Sequence, residues 1–313
     1  MSYADKIFQQ TCQDILQNGV DTQGEKVRPH WPDGTPAYTI KKFGVVNRYN
    51  LQEEFPALTL RKTGFKSCVD EILWIWQKKS NNIHDLNSHI WDEWANEEGS
   101  IRRAYGYQIG KKYIHHKLPG DMLLSDMEDL SDYPSAEVQI NEEEKVAYVW
   151  MDQIDGVIYD LRNNPYSRRI MTNIYNFDDL WDMALYPCAY SLTFNVTKKE
   201  GCDKLILNCI LNQRSQDVLA ANNWNICQYS ALLCMIAQVC DMIPGELVHV
   251  ISDCHIYDRH VDIIKELISR EPMPAPKLWI NKDIKSFYDF TPDDIKLIDY
   301  ETHPQIKGIP IAI

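Results

Sequence analysis

Ile7, Phe8, Ile15 and Leu16, with Thr11 between them, recur at helical spacing and predict an amphipathic first helix that Asn18-Gly19 stops. A loop rich in Pro and Gly follows over 27–39. From Phe65 to Trp76 the stripe Phe65, Val69, Ile72, Leu73 and Trp76 is joined by Trp74 and Ile75 on the other faces, so this helix is expected to be buried nearly all round. Between Lys111 and Tyr148 the periodicity disappears. A helix is predicted over Gln153–Asn163. Beyond it Tyr190, Leu192, Phe194 and Val196 alternate with Ser191, Thr193, Asn195 and Thr197, as in a half-buried strand. A second strand, Lys204–Leu211, pairs with it across the turn at 198–203. A buried helix over Asn225–Val239, a short strand at Leu247–Ile251 and an amphipathic helix on Val261, Ile264 and Leu267 complete the pattern. Helices and strands mix without βαβ regularity, which predicts an α+β fold.

Composition narrows this picture. The 313 residues carry 32 Lys+Arg against 45 Asp+Glu, a net charge of −13, which argues against a purely electrostatic nucleic-acid binder. At 44% hydrophobic, with no repeat and no Gly/Ser or Pro-rich linker, the chain reads as a single domain spanning 1–313. Within Asp121–Glu144 there are nine acidic residues and no Lys or Arg, so 112–147 is read as an acidic surface insertion. The most apolar run, Tyr229–Cys240, is far shorter than the roughly 20 residues a membrane helix needs. The N-terminus lacks the apolar run of a secretion signal, and a cytoplasmic protein is expected. Nine cysteines without a Cys-x-x-Cys pair suit neither a disulfide framework nor a zinc knuckle.

Several side chains invite chemistry. Cys188 follows Pro187 at the start of the alternating strand, and Arg214, just past the second strand, is one hairpin away. A cationic neighbour is what lowers a thiol's pKa from about 8.5, although Arg214 also fits a solvated strand end. Glu71 is followed by Ile72 to Trp76, leaving the helix no wholly wet face; its carboxyl is either desolvated, as a general acid or base requires, or paired at the surface with Lys66 or Lys78. Arg168-Arg169 lie in a turn-rich stretch and suit a phosphate clamp or plain surface charge. His249, His255 and His260 with Asp253 and Cys254 lack metal-ligand spacing. In an extended segment His255 and Tyr257 share one face, which suits a sugar hydroxyl. No Walker loop or GxGxxG is present.

The segments EILWIWQ around Glu71, HIWDEWANEEG from His89, AYGYQ at Ala104, NPYSRRI at Asn164, MALYPCAY at Met183, QRSQDVLAANNWNICQYSALL at Gln213, SDCHIYDRH at Ser252, REPMPAPKLWI at Arg270 and the terminal IPIAI together resemble folate-dependent, cysteine-nucleophile thymidylate synthases. The resemblance covers most of the chain apart from the acidic insertion. It implies a large α+β domain with a mixed, mainly antiparallel sheet packed by long buried helices, forming an obligate homodimer through the sheet. It also implies reductive methylation of dUMP to dTMP, with 5,10-methylenetetrahydrofolate as carbon and hydride donor and with no metal, membrane or nucleic acid required. On that resemblance Cys188 is the nucleophile on uracil C6, Arg214 stabilises its thiolate, Glu71 manages protons and Tyr105 lies near the C5 proton. Arg28, Arg214 and Ser215 hold the phosphate, with Arg168 and Arg169 reaching it from the partner subunit. Asn225 reads the uracil edge, and His255 with Tyr257 holds the ribose. Asp217 contacts dUMP and fixes the pterin, Trp91, Trp94 and Ala221 line the folate, and the carboxylate of Ile313 closes the complex.

The chain departs from the family pattern in three places. Ala189 follows the nucleophile where His is common. Ala220-Ala221-Asn222-Asn223-Trp224 stands where Leu-Gly-x-Pro-Phe is usual, and the loop holding Arg28 matches Arg-Thr-Gly-Thr-Gly only loosely. Two competing readings share the scaffold: a dUMP hydroxymethylase, and a catalytically dead nucleotide or RNA binder. An Asp in place of Asn225 would mark the cytosine-specific hydroxymethylase.

Overall fold

The first apolar stripe forms α1, Tyr3–Asn18, in a computed structural model that describes residues 2–119 and 130–313. The Ser2 hydroxyl caps α1 by accepting from the Asp5 amide, and Gly19 ends it. There follow β1 (Val20–Asp21), β2 (Thr39–Asn50), α2 (Phe65–Trp76), α3 (Gly106–Gly110), β3 (Tyr113–Pro119), β4 (Glu137–Asn141), β5 (Val146–Met151), α4 (Gln153–Asn163), β6 (Met171–Asn173), β7 (Ala189–Thr197), β8 (Ile206–Asp217), α5 (Asn222–Val239), β9 (Ile243–Tyr257), α6 (Val261–Ser269), β10 (Lys277–Ile280) and β11 (Ile295–Ile298). Among the described residues no helix is long and apolar enough to cross a membrane. All nine cysteines are free thiols, six of them buried.

The main sheet runs β1-β2-β9-β8-β7-β6 and is antiparallel except for the parallel pair β8 and β9. The strands predicted at 190–197 and 204–211 pair as expected. Three differences from the sequence reading have physical causes. One βαβ unit does occur, because α5 crosses over between β8 and β9. The strand expected at Leu247–Ile251 is 15 residues long, and β2 was not foreseen at all. Lys41, Lys42, Gly44, Asn47 and Arg48 break any apolar alternation in β2, which runs beside β9 along most of its length.

The region 112–147 also differs from expectation. Instead of an irregular loop, it contributes to a three-stranded sheet, β3-β5-β4. Only β5 alternates cleanly, burying Ala147, Val149 and Met151; β4 is exposed on both faces, so no period could mark it. Residues 120–129, the first part of the acidic run, lie outside the described residues.

Helices α2 and α5 pack on each other, α5 also lies on β8 and β9 of the main sheet, and both helices are buried on nearly every face. Trp74 and Trp76 of α2 are among the largest fully buried side chains, as the absence of a wet face in the sequence requires. The chain then turns sharply at Tyr105, whose φ of 44° and ψ of −100° lie where a bulky residue rarely sits. A Cβ on the next residue, Gly106, would fall 2.1 Å from the Ser80 carbonyl oxygen, so only glycine fits. Gly106→Ala should therefore destabilise the protein by about 2–3 kcal/mol in urea denaturation; an unchanged midpoint would show that this turn relaxes freely.

Candidate active site

Strand polarity collects the candidate residues at one end of the main sheet. The start of β7, the end of β8, the end of β9 and the start of β2 coincide there. Register places Asp217 beside His255 and Ser215 beside Asp253 across the parallel pair, while Thr39 and Lys41 face Tyr257 and His255. Just outside β7, the Arg214 amide donates to the Cys188 carbonyl at 2.9 Å. The same end of the sheet carries the entry to α5, with Ala221 as its N-cap residue.

Cys188 is half-buried, with Arg214 Nη2 at 3.7 Å from Sγ. Arg214 is not a loose strand end: its Nε donates to the Pro187 carbonyl at 3.0 Å and Nη2 to the Tyr186 carbonyl at 2.7 Å. Burial pushes the Cys188 thiol up, and the charges of Arg214 and Arg28 pull the other way without cancelling it. The Cys188 amide donates to the Tyr105 hydroxyl at 3.3 Å, so the strained turn at Tyr105 delivers its ring directly to the thiol-bearing residue.

Glu71 is 6% exposed and has no cationic partner among the described residues; Lys66 pairs instead with Asp293 at 2.6 Å, and Lys78 donates to the Asp85 carbonyl. Three neutral N–H groups hold the carboxylate. Trp91 Nε1 donates to Oε1 at 2.8 Å, while Trp224 Nε1 at 2.5 Å and Gln228 Nε2 at 2.8 Å both donate to Oε2. Burial raises the Glu71 pKa and outweighs these donors, which lower it; nearby Asp70 raises it further. Trp91 is buried and holds Glu71 through Nε1, and Trp94 and Tyr105 stack edge-on against it at 5.6 and 4.9 Å.

A directional chain of hydrogen bonds reaches the same carboxylate from β9. His249 Nε2 lies 2.7 Å from Gln213 Oε1; Gln213 Nε2 donates to Asn225 Oδ1, Asn225 Nδ2 to Gln228 Oε1, and Gln228 to Glu71. Burial lowers the His249 pKa to about 3, so near neutrality the ring carries one N–H, which must point at Gln213. Each amide is thereby oriented, including that of Asn225. The sequence reading weighed His249 only as a metal ligand and gave Gln213 and Gln228 no role: His249 is a lone polar residue among apolar neighbours, Gln213 sits in a polar strand end, and no local spacing links the three.

On the other flank His255 Nδ1 meets Asp253 at 2.8 Å, and Lys41 pairs with Asp253 at 2.9 Å, which fixes the ring next to Tyr257. Burial pushes the Tyr257 hydroxyl up to about 12. Burial also raises Asp217, but His260, His255 and the Ala220 amide more than offset it and hold the carboxyl below its usual value. Fully buried His260 lies 3.6 Å from Asp217 through Nδ1 and 2.8 Å from the Pro310 carbonyl through Nε2. It thereby ties Asp217 to the C-terminal tail. Ile313 pairs through its own amide and carbonyl with His30, two residues from Arg28. Arg28 is exposed yet close enough to act on both Cys188 and Tyr257. Ser215 and Ala221 are half-buried at the sheet end. Arg168 and Arg169 are exposed and, among the described residues, are not tied into this cluster.

A buried thiol beside a fixed guanidinium, with a desolvated carboxyl a few side chains away, can perform nucleophilic addition coupled to proton transfer. A family model described as thymidylate synthase matches residues 6–312. The chain belongs to the thymidylate synthase family. Thymidylate synthase 1 of Bacillus subtilis strain 168 is 41% identical over 305 residues, covering 96% of each chain. Thymidylate synthase of Bacillus phage phi3T matches to the same extent, and that of Bacillus atrophaeus is 43% identical over 251 residues, covering 79% of this chain and 95% of that one. The solved structure of a thermostable thymidylate synthase A from Bacillus subtilis superposes with a TM-score of 0.81 at 38% identity, covering 100% of both chains. These comparisons give the hydroxymethylase reading no support.

Two outcomes follow from the geometry. Removing the guanidinium in Arg214→Ala should slow iodoacetamide alkylation of Cys188 several-fold near neutral pH, with Cys188→Ala identifying the reacting thiol; an unchanged rate would detach Arg214 from the thiol. The folded protein holds His249 neutral down to about pH 3, whereas the unfolded ring protonates near 6.5. Its contribution is therefore intact above pH 6.5 and is lost on acidification through that window, by at most about 1.4 kcal/mol per pH unit. His249→Gln should flatten the fall in urea stability between pH 7 and pH 4.5. A wild-type slope in that variant would contradict this.

Proposed function

We propose that the chain carries out reductive methylation of dUMP to dTMP at this end of the sheet. The observation that carries the reading is the pairing of Cys188 Sγ with Arg214 Nη2 at 3.7 Å beside a carboxyl kept out of water. The Cys188 thiolate adds to uracil C6, and the electron pair displaced from the C5–C6 bond makes C5 a nucleophile. Before substrate arrives, burial keeps the thiol mostly protonated. Arg214 and Arg28, which also hold the phosphate with Ser215, favour the thiolate once dUMP lies against them.

Asn225, oriented by Gln213 and Gln228, offers one N–H and one lone pair to the uracil edge. His255 and Tyr257 take the ribose hydroxyl, and Tyr105, at the Cys188 amide, lies near the C5 proton. Glu71 exchanges protons with the pyrimidine from a buried position that raises its pKa above the ordinary carboxylate range. Methylenetetrahydrofolate, when bound, supplies the one-carbon unit and the hydride.

Asp217 fits a pterin donor because its contacts with the Leu219 and Ala220 amides and with His260 all fall on Oδ1, leaving Oδ2 for a ligand N–H. Trp91, Trp94 and Ala221 line the folate, and the tail ending at Ile313 closes over it from its place along the Arg28 loop. Arg168 and Arg169, exposed and outside the cluster, reach the phosphate in a second subunit, which makes the enzyme a homodimer. Its working compartment is the cytoplasm.

Purified protein mixed with dUMP and methylenetetrahydrofolate should give the absorbance rise of dihydrofolate formation and a product with the mass of dTMP, and Cys188→Ala should abolish both. A hydroxymethylated product, or none, would overturn the reading.

A further inference from the structure

One of the positions that depart from the family pattern at the start of α5, Trp224, touches the buried carboxyl of Glu71. Trp224 and Gln228 are four residues apart on α5, so they present adjacent tips on one face, and that face meets the middle of α2 at Glu71. Both tips donate to the same oxygen, Oε2, while Trp91 alone donates to Oε1. A carboxylate oxygen has two lone pairs in its plane. Oε2 therefore has none to spare and Oε1 has one.

Space for the indole is provided at the start of α2. Gly64 is the N-cap residue there, and a Cβ on it would sit 3.7 Å from Trp224 Cζ3, so the ring packs flush against this backbone while its N–H reaches Glu71. A phenylalanine at 224 would fill much of that space but could not donate.

We infer that Trp224 is a positioning residue for proton transfer: with Gln228 it fills both lone pairs of Glu71 Oε2 and so confines the exchangeable proton to Oε1. The inference rests on the proposed role of Glu71. Its consequence is directional. A proton at Oε1 lies on the oxygen whose indole partner, Trp91, stacks at 4.9 Å against Tyr105, the side chain that meets the Cys188 amide. A proton at Oε2 would instead break one of the two bonds from α5. Without the indole N–H, Oε2 regains a free lone pair, the proton has two sites, and the charged form loses a donor. The titratable groups facing Glu71 are Asp70 and Cys68 from α2, Tyr105 from the loop before α3, and Tyr229 from α5. Trp224→Phe leaves all four in place.

The test is the pH profile of kcat/KM in Trp224→Phe, with dUMP binding as the check on folding. The limb that Glu71 governs, identified by its loss in Glu71→Gln, should move to higher pH. Near neutral pH kcat should fall about tenfold while the Kd for dUMP stays within about threefold. In the Glu71→Gln background, the same change at 224 should cost less than about twofold, because the group it positions has gone. If the phenylalanine variant does not fold, 3-benzothienylalanine introduced at position 224 replaces the N–H by sulfur at nearly the same volume and should shift the limb in the same direction. An unmoved limb, or a kcat loss that persists in full in the Glu71→Gln background, would overturn the inference. Absence of dTMP formation by the wild-type chain would instead overturn the functional reading beneath it.

Discussion

The carboxylate of Glu71 is taken out of water with no cation beside it. Moving an ion of this size into a protein interior costs several kcal/mol even after relaxation. Three N–H donors, at about 1.5–3 kcal/mol for each bond to a charged group, recover a comparable amount. The balance nevertheless leaves the acid form favoured relative to water, since burial outweighs the donors in setting its pKa. Much of the surrounding architecture serves that balance. α2 must be apolar on nearly every face to bury the group, α5 must dock so that residues 224 and 228 meet it, and the loop after α2 must fold back to bring in Trp91.

A second requirement is convergence. The thiol just before β7, its guanidinium on β8, His255 on β9 and the carboxyl of Asp217 on β8 meet because β8 and β9 run parallel while β7 runs against them. Parallel pairing requires a crossover, and the crossover here is α5, which also supplies Asn225, Trp224 and Gln228. The element that makes the sheet end possible thus supplies the amides that lead to Glu71. From neutral His249 through Gln213, Asn225 and Gln228, hydrogen bonds run in one direction toward Glu71, so Asn225 and Glu71 share one oriented network.

The sequence was legible where one physical demand acted alone. The all-round apolar run of α2, the apolar stripe and stop of α1, the span of α4 and the alternation in β7 were each legible, and each matches. It was misleading where function or solvent interrupted the pattern. β8 was expected to end at Leu211, but it continues through Gln213, Arg214, Ser215 and Asp217, whose polarity serves the candidate site. β2 and β4 were invisible because lysines, asparagines and glutamates break their period. Among the site residues, Cys188, Arg214 and Glu71 stood out from local context. Trp224 registered only as a departure from a pattern, because its use depends on a helix more than 150 residues away in sequence, which no local spacing encodes.

The proposed proton transfer depends on the state of one carboxyl group. Infrared difference spectra of the wild-type protein across a pH titration, with the Glu71→Gln variant as reference, isolate the carbonyl stretch of protonated Glu71. The expected result is a band that persists above the ordinary glutamate value of 4.5 and disappears at higher pH. A band lost at or below 4.5 would mean that Glu71 is a solvated or ion-paired carboxylate, and the proton-transfer role built on its burial would be contradicted.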